Sequence, residues 1–145
     1  MDRKRLHILL IEDNPGDVRM MTELLSETEI SSELHISMDG ADAIDFLKRR
    51  GSHNLAIQPD FIILDLNLPK KNGREVLAEI KQDERLRKIP VIILSSSDAD
   101  NDVSYCYNMQ ANCYINKPHD LFNYMHVVKS ISEFWFQTVR LPRAS

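Results

Sequence analysis

Short apolar runs alternate with helix-patterned segments five times along this chain, and this alternation constrains the fold more than any other feature. The runs cover residues 6–11, 34–38, 61–64, 91–94 and 113–115. The first, third and fourth are continuously apolar, which is typical of parallel strands covered on both faces. The second alternates between apolar and polar residues, and this pattern favours a place nearer the sheet edge.

Apolar residues at helical spacing fill the intervals between the runs. These patterns follow Asp17, Gly40 and Gly73, a weaker one lies within residues 103–109, and a strong one lies within residues 121–135. The face of the last pattern that we expect in the core consists of Leu121, Tyr124, Val128, Ile131 and Trp135. Strands that alternate with helices indicate βαβ units and a parallel sheet. We therefore predict one α/β domain with a doubly wound, five-stranded parallel sheet and five helices. In such sheets, ligands bind beyond the carboxyl ends of the strands.

Composition narrows the classes of function. The net charge of −4 does not favour nucleic-acid binding, and the basic run at residues 3–5 is short. No run is long enough for a membrane span or a signal peptide. Cys106 and Cys113 make neither a disulfide framework nor a metal-ligand pattern. We expect a soluble, cytoplasmic protein of one domain.

Polar side chains with useful chemistry follow four of the five predicted strands. Glu12 and Asp13 follow the first, Asp65 the third, Ser95 the fourth and Lys117 the fifth. Three acids at one edge repel each other unless a cation or protons are present. Hard oxygen ligands suit Mg²⁺, and a carboxylate beside that metal can act as a nucleophile and form an acyl phosphate.

Each of these features has a simpler explanation when it is taken alone. The pair Glu12-Asp13 could begin a helix, where acids are favoured by the helix dipole. The serines from Ser95 could form a loop, and Lys117 with the proline after it could mark a turn. Asp65 is harder to explain, because it directly follows an apolar strand. The occurrence of all of them at strand ends in order favours a single site.

These motifs together resemble the receiver domain of two-component response regulators. The matching stretches are residues 11–13, 64–69 with Gly73, 94–96 and 114–118, and the likeness extends over residues 6–134. The resemblance implies a flavodoxin-like receiver fold with strand order 2-1-3-4-5. It also implies a phosphoprotein that accepts a phosphoryl group from a sensor histidine kinase on Asp65.

The other site roles are likewise implied by the resemblance. Glu12, Asp13, Asp65 and the backbone carbonyl of Asn67 would hold Mg²⁺, for which Mn²⁺ can substitute. Ser95 and Lys117 would contact the phosphoryl group. Tyr114 would be the aromatic residue that switches position together with Ser95. The family commonly has a cis peptide bond ahead of the proline at position 118.

A narrower likeness concerns the partner. Residues 65–81, together with 133–135, look like the small response regulators that partner phytochrome histidine kinases. We accordingly expect a phytochrome-type kinase as phosphodonor and an unknown downstream protein as target.

The last residues of the sequence bear on how the protein is expected to pass on its signal. We assign residues 1–134 to the receiver domain and residues 135–145 to a short extension, which is too short for an output domain. Output would then occur through protein–protein contacts. We expect a homodimer through the fourth helix, fifth strand, fifth helix and the tail with Phe134, Trp135 and Phe136. The alternative is that these aromatic residues fill the margins of the core.

Two other functions remain open from the residues. A haloacid-dehalogenase-like phosphohydrolase also uses a strand-end aspartate and Mg²⁺, but that chemistry needs a second acid where this chain has Asn67. A pseudo-receiver would be a binding scaffold that is never phosphorylated. The complete set of acids, hydroxyl and ammonium argues against the second alternative.

Overall fold

Five parallel strands form one sheet in the computed structural model, which describes residues 5–142. The strands are β1 (Leu6–Ile11), β2 (Ser32–Ser37), β3 (Phe61–Leu64), β4 (Val91–Ser95) and β5 (Cys113–Asn116). Their order is β2-β1-β3-β4-β5, which confirms the predicted topology. Most of the basic run at residues 3–5 and the last three residues of the expected extension lie outside the described range.

Five helices connect or follow the strands. They are α1 (Pro15–Ser26), α2 (Gly40–Lys48), α3 (Gly73–Gln82), α4 (Asp100–Asn108) and α5 (Leu121–Ile131). Asn14, Asp39, Asn72 and Asp120 cap four of them, each by accepting a hydrogen bond from a first-turn amide. Helix α4 begins after Ala99 without a side-chain cap, which agrees with its weaker sequence pattern.

Alternate residues of the strands supply two cores, one on each face of the sheet. Leu9 and Ile11 face α2, α3 and α4, whereas Ile8 and Leu10 face α1 and α5. Strand β3 is buried along its whole length. Burial on both faces explains why residues 8–11, 61–64 and 91–94 are continuously apolar; His7, nearer the start of β1, is only partly buried.

The structure differs from the sequence predictions at two places in the fold. Strand β2 begins at Ser32 rather than at position 34, because the register of β1 pairs Leu6 with Ser32 and extends the ladder through polar residues. Leu121 was expected in the core, but it is 58% exposed. It is the first residue of α5, one turn before the buried face that begins at Tyr124.

The helical path continues beyond α5. A π-helical segment, Ser132–Thr138, follows it directly and includes residue 134, where the expected domain boundary lies. Trp135 and Phe136 turn inward and contact the Phe61 ring at centroid distances of 5.6 and 5.0 Å. These two aromatic residues therefore extend the core on the α1 and α5 side. Within residues 5–142, no helix has the length and apolar character needed to cross a membrane.

Candidate functional site

The predicted site residues meet at the carboxyl edge of the sheet. Strands β1 and β3 are paired so that Ile11 lies beside Leu64, which brings the residues that follow them together. The Asp65 amide continues this ladder by donating to the Ile11 carbonyl at 3.0 Å. In the same way, the Lys117 amide donates to the Ser95 carbonyl at 2.7 Å. Backbone pairing thus fixes the positions of the acids and the lysine.

One ammonium group holds three carboxylates at this edge. The Nζ atom of Lys117 lies 2.6 Å from Glu12 Oε1, 2.9 Å from Asp17 Oδ2 and 3.1 Å from Asp65 Oδ2. The side chains of Glu12, Asp65 and Lys117 are each at most 12% exposed. Since one positive charge faces three negative ones in a poorly hydrated place, the cluster is electrostatically unbalanced.

Burial and the neighbouring charges together shift the pKa values of Glu12 and Lys117. Burial raises the pKa of Glu12 to about 7; the Asp65 charge adds to this shift, and the hydrogen bond from Lys117 opposes it. Burial alone would lower the pKa of Lys117, but its bonds to Asp17 and Glu12 and the Asp65 charge together raise that pKa above its ordinary value. Lys117 is therefore charged at neutral pH, and Glu12 is close to its titration midpoint.

Three carboxylates are also placed to share a metal ion. Oxygens of Glu12, Asp13 and Asp65 all lie within 4.8 Å of one another, and Asp13 is exposed to solvent while the other two are buried. An all-oxygen donor set with an open side suits a hard divalent cation that keeps several waters. The Asn67 amide donates to Asp65 Oδ1 at 3.1 Å, so the backbone of Asn67 lies beside the same carboxylate.

The loop after Asp65 is fixed by close backbone contacts. A Cβ atom at Gly73 would lie 2.3 Å from the Asp65 carbonyl oxygen, so only glycine fits there. The Gly73 amide also donates to the Leu66 carbonyl at 2.9 Å. Gly40 at the start of α2 approaches the same loop, since its Cβ would be 1.7 Å from the Lys71 carbonyl oxygen. The conformation around the aspartate is thereby restricted.

Ser95 and Tyr114 are linked through the loop between β4 and α4. Ser95 is fully buried, and its Oγ accepts from the Ser97 amide at 3.2 Å. The Ser97 carbonyl accepts from the Tyr114 hydroxyl at 2.7 Å and from the Asn116 side chain at 3.0 Å. Ser95 and Tyr114 are thus connected through the backbone of Ser97.

Asp17 contacts Lys117 in the site but was not among the predicted site residues. An acid in the first turn of a helix is already explained by the helix dipole, so nothing in the local sequence sets Asp17 apart. The available signal is topological, because α1 leaves directly from the strand end that carries Glu12 and Asp13. Tyr124 was assigned only to the core; burial and the nearby Asp17 charge raise its pKa.

One expectation about the backbone is wrong. Among the described residues no peptide bond is cis, so Lys117 and Pro118 are joined in the trans form. The trans form is favoured by about 0.5–1 kcal/mol for bonds that precede proline.

A groove of about 530 Å³ between α1 and α5 contains none of the predicted site residues. The candidate site is the sheet edge.

Comparison with known proteins agrees with this geometry. The family model for the response regulator receiver domain matches residues 8–129. Response regulator Rcp1 of Synechocystis sp. is 45% identical over 137 residues, which cover 94% of this chain and 93% of Rcp1. The crystal structure of Mn²⁺-bound Rcp1 has a TM-score of 0.92 at 44% identity, covering 95% of this chain and 99% of that one.

A second solved structure is similar over the same extent. The phosphorylated cyanobacterial phytochrome response regulator RcpA has a TM-score of 0.94 at 44% identity, covering 97% of this chain and all of that one. The family match, the sequence identity and the shared fold all agree with the cluster of acids and Lys117 at the carboxyl edge of the sheet. The chain belongs to the response regulator receiver domain family.

Proposed function

We propose that Asp65 accepts a phosphoryl group from the phosphohistidine of a sensor histidine kinase. A carboxylate oxygen of Asp65 forms the new O–P bond while the N–P bond to the donor imidazole breaks. The single observation that carries this proposal is the placement of the Asp65 carboxylate, 3.1 Å from the Lys117 ammonium within the acidic cluster. Lys117 is positioned to bind the oxygens of the incoming group and to offset their charge.

The acidic cluster supports a divalent cation, which we assign as Mg²⁺ with Mn²⁺ as a substitute. Glu12, Asp13, Asp65 and the Asn67 carbonyl would hold it. When bound, such an ion neutralises charge on the transferring phosphoryl oxygens. The carboxylate oxygens of the first three residues lie within 4.8 Å of one another, and Rcp1, of the same family, has been solved with Mn²⁺.

The effect of phosphorylation would reach the protein surface through the loop between β4 and α4. Ser95 would turn its hydroxyl toward the phosphoryl oxygens, which breaks its bond from the Ser97 amide. The Ser97 carbonyl then moves away from the Tyr114 hydroxyl, and Tyr114 is free to change its position. A local change in charge thereby biases a two-state element on the surface formed by α4 and β5.

The comparisons support a phytochrome-type kinase as the phosphodonor, since RcpA is described as a phytochrome response regulator. We place this signalling event in the cytoplasm. The protein's own chemistry would comprise phosphotransfer to Asp65 and later hydrolysis of the acyl phosphate, without turnover of another substrate. A competition experiment tests this partner by comparing phosphotransfer from an autophosphorylated phytochrome kinase with phosphotransfer from an unrelated autophosphorylated histidine kinase. Equal transfer rates would argue against a phytochrome-type phosphodonor.

Exposed apolar side chains support a homodimer through α4, β5, α5 and the π-helical segment. The exposed members are Tyr107, Leu121, Phe122, Met125 and Phe134, the last being 52% exposed. Trp135 and Phe136 instead contact Phe61 within the chain, so their substitution would disturb the core. Phe134→Ala should yield monomers in sedimentation, whereas Leu55→Ala, at an 89% exposed leucine elsewhere, should not. A dimer that survives Phe134→Ala would refute this interface.

The phosphoacceptor is tested with acetyl phosphate and Mg²⁺, followed by intact mass. Wild type should gain one phosphoryl group, Asp65→Asn should gain none, and Asp45→Asn, at a half-exposed α2 position, should behave as wild type. Absence of an adduct that depends on Asp65 would favour a pseudo-receiver. Continuous release of phosphate from small esters would favour a phosphohydrolase.

A further inference from the structure

Two histidines and a glutamate lie together near the amino ends of β1 and β2. The register places His7 beside Glu33 and Leu9 beside His35. Because alternate residues of a strand project from the same face, the side chains of His7, Glu33 and His35 share one face of the sheet. His7 lies five residues before Glu12, about 16 Å along β1, and His35, which lies beside Leu9, is about 10 Å from Glu12, at about 3.3 Å for each residue. The cluster is thus distinct from the acidic site.

The ligating atoms of these three residues converge. His7 Nδ1 is 3.1 Å from His35 Nε2 and 3.4 Å from Glu33 Oε2, and all three residues offer ligand atoms within 4.8 Å of one another. Nitrogen and oxygen ligands at about 2.0–2.1 Å in a tetrahedral zinc site are separated by about 3.3–3.4 Å. The observed spacing is therefore close to that of a tetrahedral site before any adjustment.

A hydrogen bond between the two rings explains only part of this arrangement. His7 Nδ1 carries either one proton or one lone pair, so it can satisfy His35 Nε2 or Glu33 Oε2 but not both. A cation between the three atoms satisfies all of them. Burial lowers the pKa of His35, with the Glu33 charge opposing, and this favours the neutral imidazole that metals bind.

The surroundings make the cluster rigid and accessible. The His7 amide donates to Asp60 Oδ2 at 2.9 Å, and the Asp60 amide donates to the His7 carbonyl at 2.7 Å. The His35 ring lies 5.5 Å from the Phe46 ring, which limits its rotation. The Glu33 side chain is 45% exposed on the edge strand β2, so solvent reaches the cluster.

We propose that His7, Glu33 and His35 form a second metal site that binds Zn²⁺, with water at a fourth position. Two imidazoles and one carboxylate suit Zn²⁺ and neighbouring transition metals, whereas Mg²⁺ prefers oxygen ligands alone. Three protein ligands with one open position are a common zinc arrangement. The bound ion joins β1 to the edge strand β2.

The test is a Zn²⁺ titration of tag-free protein by calorimetry, with saturating Mg²⁺ present to occupy the acidic site. Wild type should bind one equivalent. His35→Gln and Glu33→Gln should each weaken binding by at least the roughly 10–100-fold that loss of an outer-shell partner causes. His126→Gln, at an exposed position on α5, should bind as wild type. Zn²⁺ should raise the melting temperature of wild type and His126→Gln more than that of the two ligand variants.

The outcomes separate this site from the acidic one. Wild type that binds no Zn²⁺, or ligand variants that bind it as tightly as wild type, would overturn the proposal. Loss of Zn²⁺ binding in Asp13→Asn but not in Glu33→Gln would do the same, because it places the ion at the strand ends. Glu33 is half exposed, so its substitution keeps the test valid if His35→Gln does not fold. Phosphorylation of Asp65 is measured separately with acetyl phosphate and is expected in both variants.

Discussion

Replacement of Glu12 by glutamine should stabilise the metal-free protein at alkaline pH. The folded protein raises the pKa of Glu12 from 4.5 to about 7. Below pH 4.5 the carboxyl group is neutral in both the folded and unfolded states, so it adds no cost. Between about pH 4.5 and 7 the unfolded state loses its proton first, and the free energy of unfolding therefore falls as pH rises.

The size of the effect follows from the shift. At about 1.4 kcal/mol for each pKa unit, the charged Glu12 costs the folded state about 3 kcal/mol at pH 8 and under about 1 kcal/mol at pH 5. Glutamine stays neutral, but Lys117 contacts Glu12 Oε1 and the Asn14 amide donates to Glu12 Oε2, so the single oxygen of glutamine can accept from only one of them. Loss of the other hydrogen bond costs about 1 kcal/mol. Glu12→Gln should therefore gain about 1–2 kcal/mol at pH 8.

Urea unfolding in EDTA at pH 8 and pH 5 measures this gain. Glu84→Gln, at an exposed position, is the matched control and should differ little from wild type at either pH. Addition of Mg²⁺ should stabilise wild type more than Glu12→Gln, since the variant lacks one carboxylate ligand. A Glu12→Gln protein that is no more stable than wild type at pH 8 would refute the reasoning.

Three further substitutions test other parts of the structure. Gly73→Ala places a Cβ atom 2.3 Å from the Asp65 carbonyl oxygen. It should lower the free energy of unfolding by about 1–3 kcal/mol and slow phosphorylation by acetyl phosphate. Wild-type values for both would contradict the close contact. Lys81→Met removes ammonium hydrogen bonds to the Arg87 and Ile89 carbonyls and to the Asn112 side chain. This substitution should lower the free energy of unfolding in urea by about 1–3 kcal/mol. Phosphorylation should not change, because these contacts lie at the amino edge of the sheet, away from Asp65. A phosphorylation defect would count against this placement. Tyr114→Phe loses the bond to the Ser97 carbonyl, and should cost about 1 kcal/mol and speed hydrogen exchange in the loop between β4 and α4; unchanged exchange would mean that the hydroxyl does not restrain the loop.

The sheet and most of the candidate site follow from the sequence for one physical reason. A strand buried on both faces must be continuously apolar, so a charged residue directly after it marks the strand end. Glu12 and Asp65 are such residues, and parallel strands place their carboxyl ends on one edge. Topology then determines which side chains meet; the alternation of runs and helices predicted the parallel sheet, and the family resemblance implied its strand order.

The misplaced residues show where periodicity stops being informative. A helical pattern identifies the buried face of α5, but it does not show where along the helix that face begins, and Leu121 was wrongly included. Trp135 was correctly placed on that face by its spacing, but Phe136, which was expected on another flank, also contacts Phe61 where the path after Ile131 is π-helical. That change of helical type shifts which side chains point inward, and the spacing of apolar residues does not reveal it.

Charge compensation is harder still to predict, because it depends on contacts between distant parts of the chain. Asp17 and Lys117 are separated by 100 residues, yet their charged atoms lie 2.9 Å apart. Locally, Asp17 looks like a helix-start acid and Lys117 like part of a turn. Only the folded structure shows that one ammonium group serves Glu12, Asp17 and Asp65 together. A site that favoured stability alone would balance these charges, so the excess of carboxylates indicates a place prepared for a cation.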